Sequence, residues 1–99
     1  MQTFCIYHIV FLGESEDSSS EIIYVGKTYH LDKRIKEHFY FAKRLRKTYL
    51  HQKLCRYNQN RFIFLAIKNF DSEEEAFLAE KLEIARLKNE GVRLCNVTD

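Results

Sequence analysis

The hydrophobic and polar positions of the chain fall into short segments with different periods. Residues 3–12 (TFCIYHIVFL) are β-branched and aromatic with little polarity, which predicts a largely buried strand. Residues 13–21 (GESEDSSSE) are polar, acidic and serine-rich with no period, which predicts a mobile turn. Residues 22–28 (IIYVGKT) form a second β-rich run, and a hairpin with the first is its cheapest connection. Gly26 near its end points to a bend or a close backbone approach. Leu31, Ile35, His38, Phe39 and Ala42 recur at three and four, predicting a helix from 31 to about 41. A second, shorter helix is expected from about 45 to 57, with Leu50 and Leu54 on one face. Residues 62–67 (FIFLAI) read as a third strand, apolar enough to be central in its sheet.

Ser72 followed three residues on by Glu75 has the form of a capping box and opens a long helix to about 89. Gly91 is its expected stop, and residues 94–99 read as an irregular tail. The order β-β-α-α-β-α predicts an α+β fold, a small three-stranded antiparallel or mixed sheet flanked by helices. The 99 residues are read as one domain, 1–99, able to bury about 60–70% of the unfolded surface.

Composition narrows the classes. No apolar run approaches the roughly 20 residues of a membrane span, and the opening MQTFCIYHIV lacks the marks of a secretory signal. Cys5, Cys55 and Cys95 are an odd number, far apart and without a CxxC pair. This argues against a disulfide framework or a zinc ribbon and suits a reducing, cytoplasmic setting. Cys55 and Cys95 read as small buried hydrophobes.

The overall charge is only +2, but its distribution is uneven. Between Asp32 and Arg61 lie Lys33, Arg34, Lys36, Lys43, Arg44, Arg46, Lys47, Lys53, Arg56 and Arg61, against only Asp32 and Glu37. Tyr40, Tyr49 and Tyr57 are interleaved with them. Such a segment suits a polyanion, with the solvated surface of two helices as the plain alternative.

Three features carry candidate chemistry. A hairpin of the first two strands would let Tyr7 and Tyr24 approach each other. Arg34 and His38 are four apart and share one helix face. Glu80 falls at helical spacing from Ala76, Phe77 and Ile84, on a stripe that should pack inward, so it needs a cation. His8, His30 and His51 lack ligand spacing and read as surface or packing residues.

In these residues the sequence resembles the GIY-YIG nuclease domain over nearly its whole length. Cys5-Ile6-Tyr7 stands where that family has GIY, and Tyr24-Val25-Gly26 where it has YIG. LDKRIKEHF matches the family helix with Arg34 and His38, EEEAFLAEKLEIARL places the family's glutamate at Glu80, and LCN places its closing asparagine at Asn96. Cys5 in place of the first glycine and a long acidic connection between the two motifs are departures, and neither removes a residue with a chemical role.

The resemblance implies an intracellular endonuclease that hydrolyses a phosphodiester of DNA, with one Mg²⁺ (or Mn²⁺) held by Glu80. It implies catalytic roles for Tyr7, Tyr24, Lys27, Arg34, His38 and Asn96, with one tyrosine as general base. Lys33, Lys36, Lys43, Arg44, Arg46, Lys47, Lys53 and Arg56 are the expected nucleic-acid contacts. A non-catalytic nucleic-acid-binding module of the same fold is the alternative, and RNA a less favoured substrate. No helix-turn-helix or zinc finger is recognisable, so site choice would come from a further DNA-binding domain, a partner protein or a homodimer.

Overall fold

A computed structural model describes residues 3–96. Its elements run β1 (Phe4–Phe11), β2 (Glu21–Thr28), α1 (Leu31–Arg44), α2 (Tyr49–Arg56), a 3₁₀ turn (Gln59–Arg61), β3 (Phe62–Phe70) and α3 (Glu73–Asn89). The fold is α+β, as the sequence pattern indicates. The three strands form one antiparallel sheet in the order β2-β1-β3. Of the tail expected over 94–99, residues 97–99 lie outside the described residues. No helix among those described is long and apolar enough to cross a membrane.

The central strand is β1, and β3 lies at an edge, contrary to the expectation from its apolar composition. Its burial explains why. Phe62 is buried and Phe64 half-buried, whereas Ile63, Leu65 and Ile67 on alternate positions are exposed. Each helix layer covers its own face of the sheet. Tyr7, Ile9, Phe11 and Phe62 pack with Ala42, Leu50 and Leu54 of α1 and α2. Ile6 and Val25 pack with Leu87 of α3 on the opposite face.

The helix boundaries follow their caps. His30 caps α1, its Nδ1 accepting from the Lys33 N–H at 3.2 Å. The helix runs three residues past the expected end. Arg46 then takes a left-handed φ of 48°, which interrupts the helical path. Thr48 caps α2 by accepting from the His51 N–H at 3.1 Å, so α2 begins at Tyr49 rather than near 45. Ser72 caps α3 as expected. Gly91, at φ 86°, ends that helix, with the Val92 N–H returning to the Leu87 carbonyl at 3.0 Å.

The acidic turn between β1 and β2 is tied down at its start. The Arg61 guanidinium donates to the carbonyls of Leu12, Gly13 and Ser15 at 2.9–3.0 Å, and the Tyr57 hydroxyl donates to Glu14 at 2.8 Å. Arg61 is thus a structural cation, set apart from the other basic residues of the middle segment. The three cysteines are free and half-buried.

Candidate active site

Hairpin pairing places Tyr7 opposite Gly26 and Ile9 opposite Tyr24. A Cβ at position 26 would collide with the Tyr7 ring, so the glycine is what lets that ring lie across β2. The two tyrosine rings then sit with centroids 6.3 Å apart, and His38 from α1 meets both edge-on, at 5.9 Å from Tyr7 and 5.4 Å from Tyr24. The two tyrosines thus approach each other across the hairpin, and α1 adds His38 to them.

Tyr7 is fully buried, and its hydroxyl lies 2.7 Å from His38 Nε2. Burial, aided by the charges of Arg34 and His51, pushes the His38 pKa down to about 3. The imidazole is therefore neutral at pH 7, and with its proton on Nδ1 it accepts the Tyr7 O–H. Burial also holds both phenols above their ordinary range, with Tyr24 adding to the effect on Tyr7. The Arg34 guanidinium opposes it at both hydroxyls, through charge and hydrogen bonding.

A cleft of about 650 Å³ opens between α3 and the α1–α2 pair. Tyr24, Arg34, His38, Glu80 and Asn96 all line it; Tyr7 and Lys27 do not. Glu80 lies in the wall formed by α3. Burial raises its carboxyl pKa, and the charge of Lys27 opposes the rise without forming a close ion pair among the described residues. The stripe itself is narrower than expected: Ala76 is buried, but Phe77 is exposed, flanked by the ammonium groups of Lys27 and Lys81 at 5.7 and 4.6 Å from its ring centre.

Asn96 has a backbone task. Its amide accepts from the Val25 N–H at 2.9 Å and donates to the Val25 carbonyl at 2.7 Å, and the Cys95 N–H donates to the Ile23 carbonyl at 2.6 Å. The tail thereby closes the outer edge of β2 and forms part of the cleft. A part-buried side-chain hydrogen bond also fixes α3 to the sheet. His8 on β1 lies 2.8 Å from Glu83, which Arg86 also holds at 2.8 Å.

The expected nucleic-acid contacts behave unequally. Lys33, Lys36, Lys43, Arg44, Arg46, Lys47 and Arg56 are exposed, whereas Lys53 is half-buried, 3.4 Å from Glu21 and over the Phe11 ring at 4.7 Å. None of these eight lines the cleft. Its basic lining includes Lys81 and Lys88 of α3, which the sequence reading passed over. Their signal was present, since 81, 84, 85 and 88 share a helix face with Glu80 nearby. His51 of α2 and its cap Thr48 also line the cleft, and His51 Nδ1 is a buried atom without a hydrogen-bond partner among the described residues.

No cluster of three or more His, Cys, Asp or Glu side chains suited to a metal occurs among the described residues. Among the described residues, Glu80 is the one carboxylate in the cleft lining. A single hard oxygen ligand fits a Mg²⁺-like ion that keeps most of its waters and completes its shell with substrate phosphate. It does not fit an all-protein cage.

Among curated proteins and among solved structures, nothing matches the chain closely enough to count. The GIY-YIG catalytic domain, in contrast, matches residues 3–92, which take in both tyrosine motifs, Arg34, His38 and Glu80 and stop short of Asn96. On that match, the chain belongs to the GIY-YIG catalytic domain family, whose members are generally nucleases.

Proposed function

We propose that this protein is a divalent-metal-dependent endonuclease that hydrolyses a phosphodiester bond of DNA. The observation that carries the reading is the convergence of Tyr24, Arg34, His38 and Glu80, from three separate elements, on one cleft with lysines in its wall. A domain that only bound nucleic acid would gain nothing from a desolvated carboxylate facing an anionic ligand, which favours catalysis over the binding-module alternative.

In this reading Arg34 presents its planar fork to the scissile phosphate, neutralising charge and orienting the phosphorus for attack. Tyr24, the tyrosine that lines the cleft, meets the attacking water and takes its proton. Burial holds this phenol above its ordinary range, and the Arg34 charge opposes that rise in favour of the phenolate. Tyr7 and neutral His38 stand behind it as a hydrogen-bonded pair that fixes the geometry of the tyrosines. Glu80 holds the divalent ion, which when bound supplies positive charge to the phosphate and to the departing 3′ oxygen. Asn96 keeps β2 in place through Val25. The charge of Lys27 favours the Glu80 carboxylate before metal binds. The exposed lysines and arginines of α1 and α2 track the flanking DNA backbone.

The direct test is incubation of the purified chain with supercoiled plasmid, branched DNA and structured RNA, each with Mg²⁺, Mn²⁺ or EDTA. Metal-dependent nicking of DNA supports the proposal. Metal-dependent cutting of RNA alone would replace the substrate. DNA binding with no cleavage in any metal would favour the binding module.

A further inference from the structure

The two outer edges of the sheet are finished differently. The β2 edge is closed by Cys95 and Asn96. The outer edge of β3 has no backbone partner among the described residues. Its apolar side chains are also uncovered: Ile63, Leu65 and Ile67 are 41–46% exposed. The strip continues onto α3. Leu65 is the register partner of His8, His8 binds Glu83, and the adjacent Leu82 and Leu78 are 72% and 61% exposed.

Bare edges of this kind are usually blunted by a charge within the strand. Residues 62–67 carry none. Arg61 is turned back on the β1–β2 turn, and Lys68 lies over the Phe70 ring at 5.3 Å. The register shift opposite Ile6 and Tyr7 bends the strand near Ile67, leaving 62–66 as its regular stretch.

We propose that the β3 edge is the interface of a two-fold homodimer in which β3 pairs antiparallel with β3 of a second copy, giving a six-stranded sheet. The charges fit a second copy in this orientation. A two-fold centred on Phe64 sets Ile63 opposite Leu65 of the partner and Arg61 opposite the partner's Ile67, so no two cations face each other. Parallel addition would bring Lys68 beside its own copy. The regular stretch 62–66 is about 17 Å long, and across the 27 Å molecular depth it offers at most about 450 Å² per copy, a size that suits a weak, concentration-dependent dimer. The cleft, bounded by Tyr24 of β2 and by Asn96, lies toward the opposite edge, so pairing leaves both copies open to substrate. The inference stands whether or not the chain is a nuclease.

The test is sedimentation equilibrium of the wild-type chain over a concentration series, beside Leu65→Lys and Ile63→Lys. The expected result is a dimer whose dissociation constant rises at least about tenfold in each variant, as for a residue central to an interface. Circular dichroism melting of the dilute chains checks the fold, and Leu65→Thr, which keeps strand propensity, replaces any variant that fails to fold. A wild-type mass of one copy throughout, a mass above two copies, or a dimer unaffected by these variants would overturn the proposal.

Discussion

The β2 and β3 edges of one small sheet carry comparable strands with opposite fates. At β2 several groups have defined partners: Gly26 admits the Tyr7 ring, Tyr7 meets His38, and Asn96 brackets Val25. At β3, Ile63, Leu65 and Ile67 stand free of such constraints. The difference teaches where the fold ties side chains to one another and where it leaves apolar side chains uncovered. Substitutions should therefore be severe at one edge and mild at the other.

The largest effect is expected at the tyrosines. Tyr24→Phe keeps the ring and removes the proton acceptor, and cleavage should fall by about 10²–10⁴-fold. In the proposed mechanism Tyr7→Phe should lose less, because the fully buried Tyr7 does not line the cleft. Single-turnover nicking rates for both variants measure the order. A greater loss from Tyr7→Phe would move the base to Tyr7, and native rates from both would make the tyrosines structural.

Next comes the pH dependence of stability. His38 titrates near 6.5 in the unfolded chain and only at about 3 in the folded one. The unfolded state therefore binds the proton first, and the stability that His38 contributes at neutral pH is lost as pH falls from about 6.5 toward 3. Each pH unit within that window removes up to about 1.4 kcal/mol. Urea unfolding at pH 7 and pH 5 should show a steeper loss for the wild type than for His38→Gln. Equal slopes would mean that the imidazole is not held neutral.

Closure of the β2 edge should come next in size. Asn96→Ala strips two hydrogen bonds from the backbone of the buried Val25, at a cost of about 1–3 kcal/mol in a urea titration. The matching change at the other edge, Leu65→Thr, should shift the stability of the dilute chain by about 0.5 kcal/mol or less, as for an ordinary exposed position. Equal losses at the two sites would erase the contrast between the edges.

Local signals in the sequence announced most of this arrangement. The cap at Ser72, the stop at Gly91 and the close approach at Gly26 depend on neighbours within a few residues or on one strand pairing, and each is found where expected. The place of β3 was not legible, because an apolar run reads the same whether its second face is covered by a helix or left bare. The late start of α2 depends on the left-handed backbone of Arg46, a conformation that an arginine does not advertise. Lys81, Lys88 and His51 were missed because a cleft wall is made by the meeting of α3 with α2, which no single segment encodes.

The central claim is that Glu80 is a metal-holding carboxylate in a nuclease cleft, and Glu80→Gln tests it most directly. Burial raises the pKa of this carboxyl, so its charged form is disfavoured in the folded chain, and the stability tied to the neutral form is lost as pH rises through the folded value. At pH 7 the amide should therefore leave the melting temperature unchanged or higher. Plasmid nicking in Mg²⁺ or Mn²⁺ should fall to background while DNA binding in EDTA holds. A well-folded Glu80→Gln chain that nicks at the native rate would contradict the account.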